Sequence, residues 1–110
     1  MLKAKDLTNG ERLLILRRRE GATKADTAAG CGASLYQYGR WENDKEDGPR
    51  AKTGRLAYRE QSFLMRRRAG VSVAAFAQLL GVSPWWLRQM EAGEAPDGRL
   101  RAHWDESARA

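Results

Sequence analysis

The chain has 110 residues, of which 42% are hydrophobic and 31% are charged, a composition that can form a core and differs from that of disordered chains. Lys and Arg outnumber Asp and Glu by 20 to 14, and the net charge of +6 favours a polyanionic partner, nucleic acid first. The single cysteine excludes an intrachain disulfide and a Cys-rich metal site, and no apolar run has the length of a membrane span or a signal peptide, so we expect a cytoplasmic protein.

Three helices are predicted in residues 8–42, each opened by a side chain that can accept a hydrogen bond from the first helical turn. These capping residues are Thr8, Thr23 and Ser34. Gly21 and Gly32 are placed to end the first two helices, and the third helix runs to about Glu42. Cys31, at the end of the second helix, is expected to be a small buried residue.

Residues 59–105 repeat this scheme. A helix is predicted from about Arg59 to Ala69, and Gly70 ends it. Ser72 and Ser83 are predicted caps of the next two helices, and a last helix begins at about Gly98. Nothing in the chain alternates with a period of two, so no sheet is expected.

The two halves of the chain are related by an offset of 49 residues. Between residues 7–50 and residues 56–99, 12 of 44 aligned positions are identical, and they fall at predicted turns, caps and small packing residues. We therefore predict an all-α fold of two tandem units, with about four to five helices in each, packed together. The predicted units are residues 7–52 and 53–105, with flexible tails at residues 1–6 and 106–110.

The residue pattern of both units resembles the Cro/repressor (XRE-like) helix-turn-helix family. In the second unit the matching residues are Gly70-Val71-Ser72, Phe76-Ala77, Leu80-Gly81-Val82-Ser83, Leu87 and Met90-Glu91. In the first unit they are Gly21-Ala22-Thr23, Ala28, Gly32-Ala33-Ser34, Tyr38 and Trp41-Glu42. The resemblance implies that the third helix of each unit enters the major groove while the second helix contacts the DNA backbone.

Site residues follow from this resemblance, position by position. The expected base contacts are Ser34, Tyr36, Gln37 and Arg40 in the first unit, and Ser83, Trp85, Arg88 and Gln89 in the second. The expected phosphate contacts are Thr23, Lys24 and Ser72. The resemblance also implies that an Arg late in the first helix pairs with the Glu that ends the third helix. The corresponding pairs are Arg17 with Glu42 and Arg66 with Glu91.

The function that the resemblance implies is sequence-specific binding of double-stranded DNA by a transcriptional regulator, of the type found in phages, prophages or mobile elements. Two units could read two half-sites, or one unit could read while the other serves packing or a homodimer. A role in DNA packaging or recombination stays open.

The runner-up interpretation is a protein-interaction adaptor that binds a transcription-related or host protein through its aromatic surface. Trp85 and Trp86 are bulky for base-reading positions, and they could contact DNA, pack against the first unit or bind a protein partner. With one His, one Cys and no cluster of metal ligands or nucleophile motif, neither an enzyme nor a cofactor or metal is expected.

Overall fold

The computed structural model describes residues 2–109, and the side chains of residues 2–106. Within this range the chain has seven α-helices, one short 3-10 helix and no strand, which confirms the predicted all-α fold. The chain divides into two compact units, one of residues 2–55 and one from residue 56 onward. None of the helices described is both long and apolar enough to span a bilayer.

The first unit consists of a 3-10 turn followed by three α-helices. These elements are the 3-10 helix Ala4–Asp6, α1 Asn9–Glu20, α2 Lys24–Gly30 and α3 Leu35–Glu42. The side-chain oxygens of Thr8, Thr23 and Ser34 accept hydrogen bonds of 3.0–3.1 Å from the backbone N–H three residues further on. All three α-helices therefore begin where a capping side chain satisfies a backbone donor that has no partner inside the helix.

The core of the first unit places α3 across α1 and α2. Leu14, Ile15, Ala28 and Tyr38 are buried between the three helices. Gly10 lies so close to the end of α3 that an added Cβ would be 2.6 Å from a backbone carbonyl oxygen. The approach of α1 to α3 thus depends on the absence of a side chain at this position.

The second unit has four α-helices. They are α4 Tyr58–Ala69, α5 Val73–Leu80, α6 Pro84–Ala92 and α7 Gly98–Arg109. Ser72 and Ser83 cap α5 and α6, and Pro84 occupies the first turn of α6, where its missing N–H costs nothing. Gly81, between α5 and α6, has φ +71°, a left-handed conformation that favours glycine and gives the sharp turn between the two helices.

The core of the second unit is formed by side chains from α5, α6 and α7. Phe76, Leu87, Met90 and Leu100 are buried in one cluster, and the Trp104 indole packs against it. The indole N–H of Trp104 donates a 2.8 Å hydrogen bond to the buried Ser62 hydroxyl of α4, so α7 is joined to α4 by a polar contact as well.

The expectation that Cys31 is buried is wrong, because its side chain is exposed. The equivalent residue of the second unit, Leu80, lies inside α5 and faces the core, whereas α2 already ends at Gly30. Cys31 is therefore the residue after the helix, and its side chain points to solvent.

Candidate nucleic-acid interface

Each unit joins its first helix to the end of its third helix by a two-contact ion pair. Arg17 Nε and Nη2 lie 2.6 and 3.3 Å from the Glu42 carboxylate oxygens. The corresponding distances from Arg66 to Glu91 are 2.8 and 3.0 Å. The bidentate geometry holds the third helix at one orientation relative to the first, which is what a surface helix needs to present a defined set of side chains.

These ion pairs lie inside the units. Glu42, Glu91 and Arg66 are buried, and Arg17 is half-buried. In the first unit, burial raises the pKa of the neighbouring Tyr38 above its ordinary value, and the Glu42 carboxylate raises it further. The phenol therefore stays neutral beside the buried carboxylate.

The first turns of the second and third helices are exposed and carry the capping hydroxyls. Thr23, Ser34, Ser72 and Ser83 all lie at the surface, and each accepts a hydrogen bond from its own helix. A hydroxyl that accepts in this way keeps its proton to donate, so each cap can donate a hydrogen bond to a phosphate oxygen. Lys24, next to the Thr23 cap, is exposed and has no ion-pair partner among the described side chains.

The exposed face of α3 in the first unit borders a shallow groove with α2, which we call the α3 groove. It is lined by Lys24, Leu35, Tyr36, Gly39, Arg40, Asn43 and Lys45. Tyr36 is 75% exposed at its rim, and Gln37 beside it is half-buried. Three cations and an exposed ring on one concave surface suit the contact of a helix with a nucleic-acid backbone and base edges.

Arg40 is already engaged within this groove. Its Nη2 donates to the Lys45 carbonyl oxygen at 3.2 Å, and its Nε lies 3.6 Å from a carboxylate oxygen of Glu46. The guanidinium carbon also lies 5.8 Å from the centre of the Tyr36 ring. A contact of Arg40 with a guanine would have to replace these interactions. Both partners of the ion pair are about 40% exposed, so breaking it costs little.

The exposed face of α6 in the second unit has a different character. Trp85 is 61% exposed and Trp86 is 39% exposed, with ring centres 6.0 Å apart. Arg88 is exposed and has no ion pair or hydrogen bond among the side chains described, and Gln89 is half-buried. The preceding helix α5 has no charged residue and exposes Leu79. This face is therefore more apolar and less basic than that of α3.

Comparison with known proteins bears on the second unit. Residues 64–105 match a family model described as a helix-turn-helix domain. This stretch is similar to helix-turn-helix domains. It begins within α4 and contains α5, α6 and most of α7. No curated protein and no solved structure matches the chain.

Reading the sequence missed Lys45 and Glu46, which shape the surroundings of Arg40. Both residues lie just beyond the end of α3, in a charged segment with no helical periodicity. The signal that could have found them is their position, because residues after the end of a helix lie close to side chains of its last turn.

Proposed function

We propose that the protein is a DNA-binding regulator that recognises double-stranded DNA with the exposed faces of α3 and α6. The observation that carries this proposal is the similarity of residues 64–105 to a helix-turn-helix domain, together with the exposed start of α6 after its turn. Transcriptional control, sequence specificity, a phage, prophage or mobile-element origin, and a homodimer are finer parts of the same proposal. It includes no catalytic step and no cofactor.

In this proposal the two units contribute differently. Gln37 and Arg40 on α3, and Arg88 and Gln89 on α6, are the side chains whose amide and guanidinium groups can make paired hydrogen bonds to adenine and guanine. Thr23, Lys24 and Ser72 hold the phosphates on either side. Because the α3 groove has three cations, the first unit supplies the larger share of the electrostatic attraction.

A second candidate function is an adaptor that binds a protein through the second unit. The specific observation in its favour is the exposed Trp85–Trp86 pair beside a helix without charges. Exposed indoles are enriched in protein interfaces, and residues at base-reading positions are more often polar. The two functions can coexist, because the aromatic pair and the cationic groove lie in different units.

The test is selection from a random duplex library with the purified chain, sequenced after rounds at two salt concentrations. If the wild type enriches a DNA motif and Gln37→Ala/Arg40→Ala no longer recovers it, base recognition by α3 is supported. If Arg88→Ala/Gln89→Ala no longer recovers the motif, base recognition by α6 is supported. Trp85→Ala/Trp86→Ala serves as the companion variant on α6: it leaves Arg88 and Gln89 in place and tests the expected base contact of Trp85 separately from theirs. Bulk binding without a motif, in every variant, contradicts sequence-specific recognition and leaves the adaptor as the better function.

A further inference from the structure

A second concave surface of the first unit lies between the 3-10 helix, the start of α1 and the segment after α3. It is lined by Ala4, Lys5, Arg12, Arg50, Ala51, Lys52, Thr53 and Gly54. Four of these eight residues are cations and none is acidic. We call this surface the basic groove, and none of its cations is among the DNA contacts assigned above.

The walls of the basic groove are fixed by hydrogen bonds. The Asn9 side chain donates to the Pro49 carbonyl at 2.9 Å and accepts from the Ala51 N–H at 3.0 Å. At the other end, Arg19 donates to the carbonyl oxygens of Thr53 and Arg55 at 2.6 and 3.2 Å. The segment is thus joined to α1 at two places, and the groove is a formed surface, although its wall is not a helix or a strand.

The cations of the groove have no acidic partner. Within the part of the chain whose side chains are described, Lys5, Arg12, Arg50 and Lys52 form no ion pair. Arg12 Nη2 donates a hydrogen bond to the Ala4 carbonyl oxygen at 3.2 Å, which orients the guanidinium without neutralising it. Like charges gathered on one concave surface repel one another, and a bound anion would remove that repulsion.

The cations at the equivalent positions of the second unit form contacts within the protein. At the 49-residue offset, Arg50 corresponds to Arg99 and Lys52 corresponds to Arg101. Arg99 donates to the Leu80 carbonyl oxygen at 2.8 Å. Arg101 pairs with Asp97 at 3.1 Å and lies over the Tyr58 ring at 4.3 Å. In the second unit the cations are used to attach α7, whereas in the first unit the equivalent side chains line an open groove.

We propose that the basic groove is a phosphate-binding site, in which Lys5, Arg12, Arg50 and Lys52 hold the oxygens of at least two phosphate groups. Four cations and no carboxylate match the charge of a run of phosphates better than that of a single carboxylate ligand. The phosphates can come from the DNA backbone or from a free polyphosphate compound. Binding of the DNA backbone in this groove rests on the DNA-binding function proposed above. Binding of a free polyphosphate does not depend on that function.

Two measurements on the full chain distinguish these sources. In the first, the affinity for duplex DNA is measured as a function of salt for the wild type and for Lys5→Gln/Lys52→Gln, two exposed side chains with no hydrogen bond in the structure. If the groove holds DNA backbone, losing two phosphate contacts should make the negative slope of log K against log salt shallower by about 1.8. In the second, inorganic tripolyphosphate is titrated into both proteins and amide chemical shifts are followed by NMR. If the groove holds free polyphosphate, the variant should bind about tenfold more weakly for each lost contact.

The matched control is Arg101→Gln, compared with Lys52→Gln alone. Both remove one positive charge at equivalent positions of the repeat, but Arg101 is already paired with Asp97. The control should leave the salt slope and the tripolyphosphate titration unchanged. An equal effect of the two substitutions would mean that only net charge matters, and would overturn the site.

The outcomes separate this proposal from the previous one. If the wild type binds tripolyphosphate but no DNA, and Lys5→Gln/Lys52→Gln weakens tripolyphosphate binding, the phosphate site is supported and the regulator function is contradicted. If the protein binds DNA through α3 or α6, and Lys5→Gln/Lys52→Gln changes neither the salt slope nor the tripolyphosphate titration, the regulator function is supported and the phosphate site is overturned.

Discussion

Replacing Glu91 with Gln tests how strongly the buried ion pair holds the second unit together. The side chains of Arg66 and Glu91 are 10% and 3% exposed, so the substitution leaves a guanidinium in the interior without its counter-charge. Removing one partner of a buried pair costs about 3–5 kcal/mol, and the amide oxygen that Gln retains places this case near 3 kcal/mol. Domains have stabilities of about 0.05–0.15 kcal/mol per residue, which gives a unit of this size about 3–8 kcal/mol, so the substitution would remove at least about a third of its stability.

The assay is urea denaturation followed by circular dichroism and tryptophan fluorescence. For a slope of about 1.5 kcal/mol/M, a loss of 3 kcal/mol moves the midpoint by about 2 M. The matched control is Glu46→Gln, the same chemical change in an ion pair whose side chains are 40% and 43% exposed, and it should cost less than about 1 kcal/mol. The double variant Arg66→Met/Glu91→Leu should recover most of the loss, because it leaves no unpaired charge in the interior. Equal midpoints for Glu91→Gln and Glu46→Gln would refute the reasoning.

Three further predictions concern the first unit. Glu46→Gln should raise affinity for a selected DNA site about two- to fivefold in a gel-shift titration, because it releases Arg40; an unchanged affinity would contradict the idea that this ion pair competes with DNA. Gly10→Ala should lower the free energy of unfolding by about 1–3 kcal/mol in urea denaturation, because the new Cβ meets backbone oxygens at 2.6–2.7 Å. Gly30→Ala, where a Cβ would have nothing within 4 Å, should raise it by about 0.5 kcal/mol. Similar effects of the two substitutions would argue against the close approach of α1 to α3. The raised pKa of Tyr38 keeps its phenol protonated in the folded chain at pH values where the unfolded chain loses that proton, so stability should fall as pH rises above about 10. Tyr38→Phe should flatten that decline in alkaline denaturation curves, and an equally steep decline in the variant would contradict the burial of this phenol.

The helices could be predicted because their ends are specified by local chemistry. Ser83 followed by Pro84 predicts the start of α6 within a few residues, and Gly70 predicts the end of α4 without any knowledge of the fold. The exposure of Cys31 could not be predicted, because it depends on α2 ending one residue earlier than α5 does at the equivalent position.

The surroundings of the candidate site could not be predicted from the sequence. The Arg40–Glu46 ion pair depends on how the chain turns after α3, and no periodic pattern describes that segment. Lys5 and Lys52 are 47 positions apart in sequence, and they line one groove because Asn9 and Arg19 hold the later segment against α1. Long-range hydrogen bonds of this kind carry no signature in the residues that they bring together.

The difference between the faces of α3 and α6 has a consequence for the kind of DNA element that the proposed regulator would recognise. A symmetric dimer presents the same surface to both halves of its target, so its site reads identically from either strand. A single chain with a cationic groove beside one helix and an indole pair on the other has no such symmetry. Bound as one chain and not as a homodimer, the protein would recognise an asymmetric DNA site and would mark a direction along the DNA.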